Sequence, residues 1–215
     1  MSELTLLALL AGVAGAACGL FADRLATRWP EHEPGVTPRG LNWRSMLVVL
    51  AGAAVAAGLV LRWDDPRDLV LLYIYCAALL VLLATDLDQK LLPDLITLPL
   101  IVFTGVVLLL GWSPLAGEGM DGLLSGILAG LGAPILLAVT DYLLRGALGF
   151  GDLKLAVSLG FMSGVTRLFS GFLISSLLIS VLLIVLLLAR RIGLRTAIPF
   201  GPILIGAAFL AVLLP

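Results

Sequence analysis

Eight apolar stretches follow one another along this chain, near residues 4–22, 46–62, 69–85, 95–112, 122–144, 154–170, 171–189 and 200–215. A helix needs about 17–25 predominantly apolar residues to cross a hydrocarbon core, and most of these runs meet that length. The predicted fold class is therefore all-α: a polytopic transmembrane helix bundle of about eight spans. The division near Ser170-Gly171 is the least marked, and one long kinked span over 154–189 would make the count seven. Composition agrees, since 61% of the 215 residues are hydrophobic and only 13% charged, too few to cover a soluble core of this size.

The connections carry turn chemistry. Asp23–Ser45 holds Pro30, Pro34 and Pro38; the others are Trp63–Asp68, Asp86–Asp94, Ser113–Asp121, Arg145–Gly151 and Arg190–Pro199. None is long enough for a soluble domain, so residues 1–215 read as one membrane-embedded domain with a loop at 23–45 between the first two spans. The first apolar run is preceded by Glu3 and no basic residue, which favours a retained span over a cleaved signal. The spacings Gly15-x-x-x-Gly19 and Gly126-x-x-x-Gly130 favour ordinary packing between spans over a dimer motif.

Several function classes drop out. The net charge is −1 and no basic patch suits nucleic acid. Cys18 and Cys76 lie inside apolar runs without a Cys-x-x-Cys pair, so small-residue packing is expected rather than a disulfide or zinc framework. His32 is the only histidine and reads as a solvated loop residue. No metal site and no cofactor is expected, and no feature assigns an oligomeric state.

If spans alternate, Asp23–Ser45 shares its side of the membrane with Asp86–Asp94, Arg145–Lys154 and Arg190–Arg195. That side collects Arg24, Arg28, Arg39, Arg44, Lys90, Arg145, Lys154, Arg190, Arg191 and Arg195, ten of the thirteen basic residues; Arg62, Arg67 and Arg167 fall opposite. By the positive-inside rule the richer side is cytoplasmic and the N-terminus is outside. Asp86 and Asp152 both lie on the cytoplasmic side.

A carboxylate at the edge of hydrocarbon is costly, so these two aspartates are functional candidates. In Thr85-Asp86-Leu87-Asp88-Gln89-Lys90-Leu91-Leu92-Pro93-Asp94, Asp86 lies closest to the apolar run. If the helix continued, Asp86 and Lys90 would share a face at i, i+4 and Asp88 would point elsewhere. Asp88 is expected in a solvated loop or as a cap, and Asp94 at the N-cap of the fourth span. In Gly149-Phe150-Gly151-Asp152 the glycines permit a close approach of another backbone, such as an extended substrate; the alternative is a plain turn capped by Asp152. A pair of aspartates suits peptide hydrolysis: one carboxylate activates a water while the other, protonated, polarises a carbonyl. Neighbouring like charges do not both ionise, so the pair shares a proton. No serine, thiol or histidine constellation competes.

These residues resemble the type IV prepilin peptidases, leader peptidases among the G-x-G-D intramembrane aspartyl proteases. Asp86 through Leu92-Pro93-Asp94-Leu95-Ile96-Thr97-Leu98-Pro99 is similar to the family's first aspartate segment, and Gly149-Phe150-Gly151-Asp152-Leu153-Lys154-Leu155 to its second. Ile198-Pro199-Phe200-Gly201-Pro202 is similar to the block before the last span, and Gly19-Leu20-Phe21-Ala22-Asp23 through Arg28-Trp29-Pro30 is a worn version of the first-loop segment. The resemblance implies a catalytic pair of Asp86 and Asp152. It also implies a supporting or substrate-binding set of Gly149, Phe150, Gly151, Lys154, Asp88, Pro93, Asp94, Pro199 and Gly201. The implied substrates are type IV prepilins or pilin-like proteins, cleaved after a short basic leader at the cytoplasmic face of the inner membrane, within pilus assembly or protein secretion.

Departures are visible too. Longer members carry two Cys-x-x-Cys pairs after the first span, linked with S-adenosylmethionine-dependent methylation of the new N-terminus; the loop at 23–45 has no cysteine, so methylation is left unassigned. Asp23 and Leu20 replace the family's asparagine and serine. Phe150 lines the substrate path or is an interfacial aromatic; Lys154 supports the site or, as the preferred reading, anchors the helix end. The rival readings are a carboxylate-based proton- or ion-coupled transporter and a non-catalytic pilus-assembly protein. The first expects acids near span centres and internal repeats, neither of which is evident.

Overall fold

The computed structural model describes residues 3–30, 40–143, 149–188 and 200–214. His32, Pro199 and the basic residues Arg39, Arg145, Arg190, Arg191 and Arg195 lie outside the described residues. Every described element is an α-helix: α1 (Glu3–Ala26), α2 (Trp43–Arg62), α3 (Pro66–Gln89), α4 (Asp94–Leu109), α5 (Gly119–Leu143), α6 (Phe150–Leu188) and α7 (Gly201–Leu213). The helices start where the local chemistry directs. Asn42 Oδ1 accepts from the Arg44 and Ser45 amides at 3.0 and 3.3 Å while Ser45 Oγ accepts from the Asn42 amide, a reciprocal cap that opens α2. Asp65 Oδ1 accepts from the Arg67 amide at 2.8 Å and Pro66 takes the first helical position of α3, where no donor is needed.

α1, α2, α3, α5 and α6 are each long and apolar enough to cross a bilayer. With 16 and 13 residues, α4 and α7 are shorter, about 24 and 20 Å at 1.5 Å per residue. Large aliphatic side chains face outward along the bundle, among them Leu7, Leu10 and Val13 on α1 and Leu177, Leu178 and Val181 on α6. An apolar exterior of this extent belongs to a multi-pass membrane protein. The interior lies where α3, the start of α6 and α7 meet: Leu72, Tyr75, Leu79, Leu82, Leu155, Leu159, Met162, Ile205 and Val212 are fully buried. The small-residue stripes are used within the chain. A Cβ on Gly15 would lie 2.2 Å from the Gly52 carbonyl oxygen, so α1 and α2 touch backbone to backbone, while Gly126 and Gly130 lie against Leu108 and Phe161.

α6 is two helical segments meeting at a break. Gly164 has φ 66° and ψ 179°, a conformation that is essentially glycine's alone. Before it, Asp152 lies near Asp86 and Ser163 near Tyr75, so residues 150–163 run antiparallel to α3. After it, Arg167 Nη1 donates to the Ala211 carbonyl at 3.1 Å and Ser175 Oγ to the Ile203 carbonyl at 2.8 Å, so residues 165–188 run antiparallel to α7. Since α7 starts beside Asp86 and ends beside Trp63, the chain reverses at Gly164. Among the described residues eight helical segments result, the number expected, but the reversal is at Gly164 and not at Ser170-Gly171. Gly171 stays helical and lets α6 approach the Ala207 carbonyl.

Helices also extend past the apolar runs. α3 continues to Gln89, so Asp86 and Asp88 lie within its last turns and the predicted Asp86–Asp94 connection shrinks to Lys90–Pro93. It stops because Lys90 turns left-handed, φ 56°, with its amide donating to the Asp86 carbonyl at 2.9 Å.

Candidate active site

Three short helical segments begin around the C-terminal end of α3: α4 at Asp94, α6 at Phe150 and α7 at Gly201. Their packing brings the two candidate aspartates together. Asp86 is 4% and Asp152 8% exposed, and the two carboxylates are close enough to interact electrostatically. Asp86 is held against the first residue of α7: a Cβ on Gly201 would meet its Oδ2 at 2.6 Å and its Cγ at 2.8 Å. Glycine at 201 therefore makes the room in which the Asp86 carboxyl sits. Asp86 Oδ2 has no hydrogen-bond partner among the described residues. A buried carboxylate oxygen without a protein donor is uncommon and calls for a functional explanation.

Asp152 is positioned by backbone. It lies in the first turn of α6, and its Oδ2 accepts from the Gly149 amide at 3.3 Å while its own amide donates to the Gly149 carbonyl at 3.1 Å. This is half of a capping box, so the turn reading and the functional reading describe the same contact. Gly151 faces Leu92, whose Cβ would be 2.8 Å from a Cβ at 151. The G-x-G-D turn thereby rests directly on the segment after Asp86. Phe150 is 83% exposed at the rim.

Three expectations about the supporting residues change. Asp94 is not the N-cap of α4; Pro93 takes that position without a side-chain bond. The Asp94 carboxylate instead accepts from Lys154 Nζ at 2.6 Å, which makes Lys154 a tie between the two motif segments rather than a free anchor. Asp88 is not loop-solvated: its side chain is 8% exposed and stands 3.8 Å from Arg44 Nη1. For Asp88 the reason is that α3 runs one turn longer than its apolar stretch and carries the side chain into the packing; Asp94 and Lys154 meet because the first turns of α4 and α6 lie side by side.

A polar network behind Asp86 was not anticipated. Asp23 is fully buried and paired with Arg24, which also donates to Ser45 Oγ at 3.2 Å. Gln89 Nε2 donates to the Pro30 carbonyl at 3.1 Å. These bonds join the ends of α1 and α3 to the start of α2, placing the first-loop segment beside the first aspartate segment. The Asn42-x-x-Ser45 cap was readable as a helix start; nothing local marked Gln89.

Residues 73–186, which hold both aspartates, match the type IV leader peptidase family. A prepilin leader peptidase/N-methyltransferase of Aeromonas hydrophila is 35% identical over 172 residues, covering 78% of this chain and 56% of that protein. One of Burkholderia pseudomallei is 32% identical over 181 residues, covering 78% and 53%. One of Bacillus subtilis is 27% identical over 164 residues, covering 76% and 63%. In each case the chain spans less than two thirds of the relative's length. No solved structure matches the chain. With a family match over more than half its residues, the chain belongs to the type IV leader peptidase family.

Proposed function

We propose that this chain is an intramembrane aspartyl endopeptidase. It removes the short basic leader from type IV prepilins or pilin-like proteins, with Asp86 and Asp152 as the catalytic pair. The observation that carries this reading is the meeting of two buried carboxylates, one of them with an oxygen that no protein donor occupies. That the relatives are prepilin leader peptidase/N-methyltransferases supports the substrate class. The concentration of basic residues in the connections on the aspartate side supports a cytoplasmic location for the site and an outside N-terminus.

The chemistry follows from the pair. One ionised carboxylate takes a proton from a water, and the resulting hydroxide attacks the scissile carbonyl carbon. The partner, protonated, donates to the carbonyl oxygen as negative charge develops there. The intermediate collapses as the carboxyl that took the water proton passes it to the peptide nitrogen, which leaves as an amine, while the partner carboxylate takes back a proton from the intermediate's hydroxyl. Gly201 and the Gly149 amide fix the two carboxyl groups, and Lys154 with Asp94 holds the two segments in register. Methylation is assigned to no residue of this chain.

The test is co-expression with a prepilin and a gel assay of leader removal for wild type, Asp86→Asn and Asp152→Asn. Asparagine keeps size and removes the ionisable group. Loss of cleavage in both variants, with normal amounts in the membrane, is expected. Cleavage by either variant at the wild-type rate would remove that aspartate from the pair.

A further inference from the structure

At the end of the bundle away from the aspartates, two guanidinium groups converge on one indole ring. The Arg62 guanidinium lies 5.2 Å and that of Arg167 5.9 Å from the Trp63 ring centroid, and the two charges are near enough to feel each other. Trp63 is fixed by its Nε1 donating to the Val212 carbonyl at 3.1 Å. Arg167 is fixed by Nη1 donating to the carbonyls of Ala211 and Leu214 at the C-terminus of α7. That contact accounts for part of one positive charge, as basic groups at helix C-termini do. It does not account for Arg62.

Acids are close by in sequence: Asp64, next to Trp63, is exposed and forms no ion pair among the described residues. Asp65 caps α3, and Asp68 pairs with Arg67 at 3.3 Å. Neither Arg62 nor Arg167 has a carboxylate within ion-pair distance among the described residues. The indole face attracts each guanidinium, but the two like charges still repel, and an anion that joins them removes that repulsion. The guanidinium fork suits phosphate oxygens, and tryptophan prefers the headgroup level of a bilayer. The surroundings are lipid-facing: Leu61 and Leu214 beside the cluster and Val165 and Phe169 flanking Arg167 are exposed.

We propose that Arg62, Trp63 and Arg167 form a binding site for the phosphate of an anionic phospholipid, with its acyl chains along these apolar residues. The site is separate from the aspartates and does not depend on the peptidase reading.

The test reconstitutes the full chain in phosphatidylcholine nanodiscs with and without phosphatidylglycerol, and measures retained phosphatidylglycerol by native mass spectrometry together with thermal stability. Arg62→Gln is the variant of choice, because Arg62 is exposed and makes no hydrogen bond to the fold among the described residues. Arg67→Gln removes the same charge from the same end and serves as control. Wild type and Arg67→Gln should retain phosphatidylglycerol about tenfold better than Arg62→Gln, the scale of one charge-assisted hydrogen bond. Equal retention by Arg62→Gln overturns the site, and so does an equal loss in Arg67→Gln, which would indicate diffuse charge. A further arm adds inorganic phosphate to phosphatidylcholine discs; stabilisation equal to that by phosphatidylglycerol would overturn the lipid as ligand.

Discussion

Replacing Gly201 with alanine tests the geometry of the aspartate pair without changing a carboxylate. The new Cβ would stand 2.6 Å from Asp86 Oδ2, 2.8 Å from its Cγ and 3.2 Å from Oδ1. Ordinary contact begins near 3.4 Å, so either the carboxyl or the start of α7 must give way by about 0.8 Å. Rotation of the carboxyl offers no escape, because Cγ is blocked as well as the oxygens. A displacement approaching 1 Å at a reacting group costs up to about a hundredfold in rate. Gly201 is the first residue of α7 and its helical backbone suits alanine, so the protein should still accumulate in membranes. The assay is the time course of prepilin leader removal by reconstituted protein, with a fall of roughly 10- to 100-fold expected. Gly206→Ala is the control: it lies on the same helix, but its Cβ would meet Ser175 Oγ, a side-chain end that can swing aside with the loss of its one bond to the Ile203 carbonyl. Cleavage by Gly201→Ala within twofold of wild type would refute the contact as a determinant of the site. An equal fall in Gly206→Ala would show that any shift of α7 suffices and that Gly201 has no special part.

The Asp94–Lys154 pair is half-exposed on both sides, so breaking it should change stability by no more than about 1 kcal/mol. If it holds the two motif segments in register, Asp94→Asn, Lys154→Met and the double variant should lose cleavage to a similar extent; additive losses in the double-mutant cycle would exclude a shared role. Gly164→Ala forces a Cβ into a glycine-only conformation and to 2.7 Å from Ser125 Oγ. It should lower thermal stability by roughly 1–3 kcal/mol. An unchanged melting temperature would argue that the reversal lies elsewhere.

The spans were legible because a bilayer leaves a chain few options, so runs of leucine, valine and alanine report helices almost directly. The reversal in α6 was not. Ser163-Gly164 and Ser170-Gly171 are the same dipeptide in similar apolar surroundings, and only the neighbours distinguish them. Ser113 Oγ donates to the Met162 carbonyl at 2.7 Å, and the Val165 amide donates to Ser125 Oγ at 2.9 Å. These side chains satisfy backbone that a turn in a membrane exposes, which is the condition for a break there. Gly171 meets only the backbone of α7 and needs no break. The aspartates were legible from the cost of placing them; the Asp94–Lys154 tie and the Arg44–Asp88 contact were not, because each joins residues far apart in sequence.

The fold also answers the difficulty from which Asp86 and Asp152 became candidates. A membrane edge disfavours carboxylates, yet this bundle buries two within electrostatic reach of each other. Helix ends offer part of the compensation, beside the charge of Lys90. Asp152 stands in the first turn of α6, and Asp86 lies against the first residue of α7. A helix N-terminus presents free amides and a partial positive charge, which favour a carboxylate nearby. Because α6 reverses at Gly164, its 150–163 segment and α7 both run away from the site, so both N-termini are on its side. Had residues 150–188 formed one straight span, α7 would have started at the other end of the bundle and Asp86 would have met a helix C-terminus, with its partial negative charge. Gly164 thus sets the electrostatics of a site a full helix segment away, and Gly164→Ala should depress cleavage by more than the loss of folded protein explains.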